Sequence, residues 1–155
     1  MIQINENIPK FKAKAIKENQ EIEINSENFK GKKLAIYFYP KDMTPGCTTQ
    51  AQNLRNNFDK FENENIIILG ISTDQISRHI KFQEKENLPF YLISDEDKTI
   101  ANLFGIWGEK KFMGKTYMGI NRTTFLVDEN QKISHIITKP KVKEHSEEIF
   151  KLLNI

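Results

Sequence analysis

Two short runs of apolar residues near the middle of the chain predict the core of a sheet. Residues 34–39 read LAIYFY and residues 66–71 read IIILGI, with almost no polar interruption. Runs of this length are typical of strands that are covered on both faces. Between the runs, apolar residues recur at the spacing of one helix face: Ala51, Leu54, Phe58 and Phe61. A strand, a helix over 45–61 and a second strand, in that order, predict a right-handed parallel crossover.

The rest of the chain predicts further strands and helices around this unit. Patterns of alternation and helix spacing give a hairpin at 11–15 and 21–24, a helix at 76–87, a strand at 90–93, a short helix ending at Gly105, strands at 123–127 and 132–137, and a last helix at 142–153. Four glycines between 105 and 119 predict a long loop. The fold class is therefore α/β, with a central mixed β-sheet flanked by helices and an N-terminal β-hairpin, in a single domain over 1–155.

Composition excludes several classes of protein. The net charge is only +2, and lysines alternate with acidic residues, which argues against nucleic-acid binding. No apolar run is long enough for a membrane span, and the N-terminal residues lack the pattern of a signal peptide. A single cysteine cannot form an internal disulfide. We therefore expect a cytoplasmic protein without membrane or nucleic-acid partners.

That one cysteine, Cys47, lies at a turn between the first buried strand and the following helix. Thr44 is a suitable N-cap residue, and Pro45 suits the first helical position. Cys47 then becomes the third helical residue, after Gly46. The free N–H groups and the dipole of a helix start favour thiolate over thiol, and the thiolate is the nucleophile. The position predicts a reactive cysteine rather than an inert buried one, which is the alternative for a lone cysteine.

Other cysteine and histidine chemistries fit the sequence less well. Cys47 is not part of a C-x-x-C motif, so a dithiol oxidoreductase is excluded. His79, His135 and His145 lack the paired spacing of metal ligands, and we expect them to be surface or half-buried residues without a metal. A cysteine–histidine hydrolase stays open on spacing alone, because its two residues are distant in sequence, but no local protease signature surrounds Cys47.

The motif P-x-x-x-T-x-x-C, formed by Pro40, Thr44 and Cys47, resembles that of the peroxiredoxins. The segments 38–51 and 87–128 are most similar to the bacterioferritin comigratory protein (peroxiredoxin Q) subfamily, and the resemblance extends over about 5–153. It implies a thioredoxin-like fold and a thiol-dependent peroxidase without cofactor. Such an enzyme reduces hydrogen peroxide and organic hydroperoxides through a sulfenic acid on Cys47, and so serves antioxidant defence and redox homeostasis.

The resemblance also implies roles for four residues. Cys47 is the peroxidatic nucleophile, and Arg122 falls on the arginine of the family. O–O cleavage needs hydrogen-bond donors along the peroxide, which the Cys47 N–H and the Arg122 guanidinium can supply. The Thr44 hydroxyl can orient the peroxide, and Pro40 can shield the pocket from water. The alternative for Arg122 is an ordinary surface salt bridge.

Two departures from the subfamily change the expected cycle. Gln52 occupies the position where many members have a resolving cysteine, so we expect a one-cysteine mechanism. An external thiol must then reduce the sulfenic acid: thioredoxin, glutaredoxin or a low-molecular-weight thiol. Gln50 replaces a common glutamate, which leaves open any network that needs a carboxylate there. A monomer is expected, with a dimer as the alternative.

Two other function classes are open to a chain with one reactive cysteine. A redox sensor would pass its oxidation to a partner and turn over slowly, whereas a binding module would have lost the chemistry. Pro40, Thr44, Cys47 and Arg122 together argue against the binding module. The aromatic and methionine-rich segment 107–118 is a candidate contact for a redox partner or a second subunit. The alternative is a loop packed on its own core.

Overall fold

A computed structural model describes all residues from Met1 to Ile155. The chain forms nine strands in order: β1 (Lys12–Lys17), β2 (Gln20–Asn25), β3 (Lys33–Phe38), β4 (Ile66–Ser72), β5 (Tyr91–Ser94), β6 (Trp107–Phe112), β7 (Lys115–Ile120), β8 (Thr123–Val127) and β9 (Ile133–Ile137). The helices are α1 (Pro45–Asn56), α2 (Phe58–Asn63), α3 (Ile76–Glu86), α4 (Thr99–Phe104) and α5 (His145–Leu152). None of these helices has the length and apolar character needed to cross a bilayer.

Seven strands form one mixed sheet in the order β2-β1-β5-β4-β3-β8-β9. The central strands β3, β4 and β5 are parallel, as the crossover pattern predicts, whereas β8 pairs antiparallel with β3 and β9 with β8. The N-terminal hairpin β1–β2 joins this sheet through β5. Glu18 and Asn19 form its turn with φ of 52° and 62°, as a tight two-residue hairpin requires. The predicted α/β class and N-terminal hairpin are confirmed.

The apolar run of β3 is buried because both faces of the sheet are covered. Alternate side chains from Leu34 onward pack into one core cluster, and those from Ala35 onward pack into the other. The second cluster contains Tyr37, Tyr39 and Cys47, together with residues of α1, α3 and α5. Strand β3 therefore leads from the sheet core directly to the loop that precedes the helix of Cys47.

The helix predicted over 45–61 is interrupted, so the prediction of one continuous helix was wrong. Asn57 separates α1 from α2 with φ −110° and ψ 13°. Its side-chain amide donates to the carbonyl oxygen of Asn53 at 2.8 Å, which competes with continued helical hydrogen bonding. Phe61 nevertheless stays buried in the same cluster as Leu54, so the apolar spacing was preserved across the break.

The prediction of a long loop between Gly105 and Gly119 was also wrong, because this segment forms the hairpin β6–β7. Met113 and Gly114 make its turn with φ of 51° and 79°. Gly108 and Gly119 lie opposite each other in the pairing, and their lack of side chains weakens the alternation that marks a strand. The hairpin is a separate two-stranded sheet beside the main one.

Candidate active site

Cys47 is the third residue of α1, as predicted, and it is only 1% exposed. It packs in the same core cluster as Tyr37 and Tyr39. The backbone N–H groups of Gly46 and Cys47 have no hydrogen-bond partner in the protein, because the first intrahelical bond is donated by Thr48 to Thr44 at 2.9 Å. Two free donors at the positive end of a helix therefore lie beside the sulfur, where they can bind an anion or a polar oxygen.

Thr44 occupies the N-cap position with the extended backbone expected there, but it does not cap the helix with its side chain. Its hydroxyl donates to the carbonyl oxygen of Lys41 at 2.9 Å instead. The predicted cap is therefore correct in backbone and wrong in hydrogen bonding. Because the hydroxyl turns toward the preceding loop, its oxygen is left as an acceptor, and the N–H groups of the first turn stay free.

Arg122 lies beside Cys47, although the two residues are 75 positions apart. Its Nη2 is 3.4 Å from the Cys47 sulfur, and its Nη1 donates to Oε1 of Gln50 at 2.6 Å. Gly46 lies against the guanidinium, since a methyl group at that position would come within 3.4 Å of Nη2. This arrangement contradicts the alternative of an ordinary surface salt bridge, because both Arg122 contacts are to α1 side chains at the cysteine.

The short link between β7 and β8 holds Arg122 in place from both sides. Asn121 donates its N–H to Ile106 at 2.8 Å, and its carbonyl accepts the Thr123 hydroxyl at 2.8 Å. The ammonium of Lys110 donates to the carbonyl of Ile120 at 2.9 Å. Main-chain contacts of this kind cannot be derived from a sequence motif, but they determine where the guanidinium points.

Gln50 takes part in the site through one end of its amide only. The side chain is fully buried, its Oε1 accepts from Arg122, and its Nε2 has no hydrogen-bond partner. An unsatisfied buried donor is costly, so its presence next to the cysteine marks a polar site rather than ordinary core. A carboxylate is not needed to hold Arg122 here, which answers the question that the Gln50 replacement raised.

Two further residues of the site have no signal in the sequence. Burial lowers the pKa of Lys110, the charge of Arg122 lowers it further, and that of Cys47 raises it, so this lysine faces the same charges. Burial raises the pKa of Tyr37 well above its usual value, and the charge of Cys47 adds to this effect. The Tyr37 hydroxyl is neutral, buried and without a partner. Only three-dimensional proximity reveals either residue.

The loop from Pro40 to Thr44 carries two of the predicted site residues. Pro40 is half-buried and follows Tyr39 directly, so it lies just beyond the end of β3. Met43 adopts φ 63°, which is uncommon for a residue with a side chain and marks a tight turn. The structure thus brings Cys47 and Arg122 into contact, with Thr44 in the adjacent turn. The shielding role of Pro40 stays a prediction.

Beneath this loop, Asp42, Asp74 and His79 place three potential metal-ligand atoms within 4.8 Å of one another. Every one of these atoms already has a hydrogen-bond partner: Tyr39, Ser72, Arg78, the Asp42 N–H, or another member of the cluster. A metal would have to displace those donors. The cluster is therefore a closed hydrogen-bond network that connects the active-site loop to α3.

The expectation that the histidines lie at the surface or are half-buried is wrong for two of the three. His79 and His145 are fully buried, whereas His135 is half-buried. His145 packs near Tyr37 and contacts the Thr124 hydroxyl and Glu148. Burial lowers the pKa of His145, and Glu148 opposes that shift. Histidine spacing gave no indication of this burial, because Asp42, Ile93 and Thr124, which contact the two rings, are distant from them in the sequence.

Residues 4–136 match the AhpC/TSA family. The chain is 44% identical over 145 residues to peroxiredoxin Bcp of Escherichia coli strain K12, which covers 94% of this chain and 91% of the relative. It is also 44% identical over 130 residues to peroxiredoxin Bcp of Bacillus subtilis strain 168, covering 84% and 83% of the two chains.

A solved structure gives the corresponding result for the fold. The bacterioferritin comigratory protein of Xanthomonas campestris, which has alkyl peroxide reduction activity, superimposes with a TM-score of 0.85 at 30% identity. The match covers 93% of this chain and 90% of that one. The predicted thioredoxin-like fold, with its central mixed sheet, is confirmed.

Proposed function

This chain belongs to the AhpC/TSA family, among the Bcp peroxiredoxins, and from that premise we propose that Cys47 and Arg122 form its peroxide-reducing centre. The protein is a thiol-dependent peroxidase, a hydroperoxide reductase. The observation that carries the residue assignment is the 3.4 Å contact between Arg122 Nη2 and the buried sulfur of Cys47. A cation and two free N–H groups around one sulfur match what peroxide cleavage needs.

The first step oxidises the cysteine. The Cys47 thiolate attacks one oxygen of the hydroperoxide, so that an S–O bond forms while the O–O bond breaks. The departing oxygen takes up a proton and leaves as an alcohol or water, and Cys47 becomes a sulfenic acid. Arg122 and the N–H groups of Gly46 and Cys47 donate to the peroxide oxygens, on which charge develops. The oxygen of Thr44 accepts the hydroperoxide hydrogen and orients it for in-line attack.

The second step reduces the sulfenic acid with an external thiol. Cys47 is the only cysteine, and it is free, so no disulfide can form within the chain. An incoming thiol attacks the sulfenic sulfur, releases water and forms a mixed disulfide. A second thiol then attacks that disulfide and returns Cys47 to the reduced state. Thioredoxin, glutaredoxin or a low-molecular-weight thiol could supply these electrons, and a reducing compartment such as the cytoplasm suits the cycle.

The whole chain is proposed to act as one domain and as a monomer. The β6–β7 hairpin is the proposed docking surface for a protein reductant. Phe112 and Met113 at its tip are 67% and 86% exposed, and Tyr117 and Met118 are also exposed. Phe112 and Tyr117 lie on the same face of the hairpin, and such exposed large apolar side chains mark a contact surface. Lys110 connects this surface to the site, because it belongs to the hairpin and faces Arg122.

Steady-state peroxide consumption tests the proposal directly. Wild-type protein and Cys47→Ser are each assayed with hydrogen peroxide and cumene hydroperoxide, using thioredoxin, glutaredoxin or glutathione as the reductant. We expect the serine variant to lose all turnover above the uncatalysed rate, because serine cannot form the sulfenic acid. Residual turnover in that variant would show that the chemistry lies elsewhere. Wild-type protein that reacts once and recycles with none of the reductants would favour a redox sensor instead.

A further inference from the structure

The buried polar cluster beneath the active-site loop has no part in the proposed reaction, although its two central residues are fully buried. His79 Nδ1 lies 2.5 Å from Oδ2 of Asp42, and the side chains of both residues are 0% exposed. The other ring nitrogen of His79 lies 3.0 Å from the carbonyl oxygen of Ile93. The Tyr39 hydroxyl donates to the second Asp42 oxygen at 2.5 Å.

The partners of His79 determine how many protons the pair holds. The Ile93 carbonyl can only accept, so Nε2 of His79 carries a hydrogen. The contact between Nδ1 and the Asp42 oxygen then holds one more proton, which belongs to either the ring or the carboxyl group. In both arrangements the pair is neutral overall. Removing one partner alone would leave a buried group without its compensating hydrogen bond, which is far costlier than losing the pair.

Asp42 is held at its main chain as well as at its side chain. Its N–H donates to Oδ2 of Asp74 at 2.8 Å, and its carbonyl oxygen accepts from Nη2 of Arg78 at 3.0 Å. Together with Tyr39 and His79, these bonds engage every polar atom of Asp42. One residue of the active-site loop is therefore attached to the end of β3, to the segment after β4 and to α3.

We propose that Asp42 and His79 are positioning residues that hold the 40–44 loop closed around Cys47 for the reaction with peroxide. This inference rests on the proposed role of Cys47. Asp42 lies midway between Pro40 and Thr44. The neighbouring Met43 has a left-handed backbone conformation, which an unrestrained loop would not keep. Oxidation needs the closed pocket, because donors and sulfur must surround one small substrate.

Reduction places the opposite demand on the loop. Cys47 is 1% exposed, so an external thiol reaches its sulfur only when part of the pocket opens. Loosening the anchor should therefore slow the reaction of Cys47 with peroxide without slowing reduction of its sulfenic acid. A general loss of folding would impair both steps, and this difference separates positioning from stability.

Two substitutions of His79 test its bond to Asp42 and its bond to Ile93 separately. The amide nitrogen of asparagine can take the place of Nδ1 and keep the bond to Asp42, whereas that of glutamine can take the place of Nε2 and keep only the bond to Ile93. Oxidation by hydrogen peroxide and reduction by dithiothreitol are measured separately in single turnovers. We expect oxidation to be about tenfold slower in His79→Gln and within about threefold of wild type in His79→Asn. Reduction should be no slower than wild type in either variant.

Several outcomes would overturn the proposal. Equal slowing of oxidation in both His79 variants would show that the bond to Asp42 is not what matters, and wild-type oxidation in both would show that neither bond does. Slowing of oxidation and reduction by the same factor in His79→Gln would indicate a folding role only. His135→Gln is the matched control, since His135 lies on the far edge strand β9, and both of its rates should equal those of wild type.

Arg78→Ala keeps the proposal testable if His79→Gln does not fold. The Arg78 side chain is 41% exposed, so its removal should leave the core intact. It frees the Asp42 carbonyl and also removes the ion pair with Oδ1 of Asp74, which itself binds the Asp42 N–H, so we expect oxidation about threefold slower with unchanged reduction. Unchanged oxidation would reject the anchor. Peroxide turnover that persists in Cys47→Ser would instead reject the proposed site itself, so the two failures are distinguishable.

Discussion

The pocket around Cys47 and the β6–β7 hairpin lie side by side but are built in opposite ways. In the pocket, Cys47 and Gln50 are at most 1% exposed, and the guanidinium of Arg122 has fixed partners at both terminal nitrogens. In the hairpin, Phe112 and Met113 are mostly exposed, and the strands pair only with each other. One region is organised before any substrate arrives, whereas the other offers apolar surface without partners.

This difference corresponds to the two substrates of the cycle. A hydroperoxide is small and must meet a thiolate, several donors and a proton in one geometry, so a buried and fixed site suits it. A protein reductant is large and needs an accessible surface. Lys110 and Arg122 connect the two regions, because the hairpin ends two residues before Arg122 and its Lys110 faces the site. If this separation is correct, changes in each region should affect only one half-reaction.

Arg122→Ala should have the largest effect on the peroxide half-reaction. It removes the cation that lies 3.4 Å from the sulfur, and we expect single-turnover oxidation of Cys47 to slow by roughly a hundredfold or more. Stopped-flow measurement with hydrogen peroxide gives this rate. Arg55→Ala is the matched control, because Arg55 lies on the helix of Cys47 but contacts Glu86, and this variant should react at the wild-type rate. Equal rates in the two variants would remove Arg122 from the site.

Gln50 variants test whether the acceptor of Arg122 matters for the same step. Gln50→Leu removes the oxygen that accepts the hydrogen bond from Arg122 Nη1. We expect oxidation to slow by about tenfold because the guanidinium loses its orientation. Gln50→Glu keeps an acceptor and removes the buried amide N–H that has no partner, so its oxidation rate should stay within about threefold of wild type. Similar slowing in both variants would show that packing, not the hydrogen bond, is what Gln50 provides.

Local patterns predicted most of this fold correctly where they were dense. The runs at 34–39 and 66–71 gave the central parallel strands, because residues buried on both faces leave no alternation to misread. The glycines at 108 and 119 removed side chains from the hairpin, so its strands were missed. Asn57 broke a helix whose apolar spacing continued across it, and no spacing argument detects a side chain that bonds its own backbone.

The site residues also differ in whether the sequence around them or a distant part of the chain determines their position. The position of Cys47 in the first turn of α1 follows from Thr44, Pro45 and Gly46 alone. The placement of Arg122 needed the resemblance to a family, since 75 residues separate it from the cysteine. The anchor between Asp42 and His79 had neither kind of signal, because a buried histidine and a surface histidine look alike in a sequence.

Hairpin variants should change the reductant half-reaction. Phe112→Ser combined with Met113→Ser removes the exposed apolar tip, and we expect the KM for thioredoxin to rise by about tenfold. Oxidation by peroxide, measured in a single turnover, should change by less than about twofold because the pocket is untouched. Leu103→Ser, which changes an exposed leucine on α4, is the control for loss of apolar surface in general. An unchanged KM in the double variant would separate the hairpin from reductant binding.

The smallest expected effect concerns pH and the buried side of the pocket. Burial lowers the pKa of His145, while Glu148 and, more weakly, Glu147 raise it and Arg122 lowers it further. The folded protein therefore takes up this proton at a lower pH than the unfolded chain, in which histidine titrates near about 6.5. The stability that the neutral ring contributes is present above that pH and is lost as the pH falls below it. One proton limits the slope to about 1.4 kcal/mol per pH unit.

Urea unfolding between about pH 7.5 and pH 5.5 measures this slope in wild type and in His145→Gln. We expect the variant to lose less stability over the interval, because glutamine does not titrate, whereas the Phe112→Ser, Met113→Ser hairpin variant should keep the wild-type slope. The buried carboxyl Asp95 acts in the opposite direction, since burial raises its pKa and its stabilising effect is present at low pH and lost as the pH rises. Its contribution is common to all three proteins and cancels in their differences. Parallel slopes in wild type and His145→Gln would mean that His145 does not respond to pH as its burial requires.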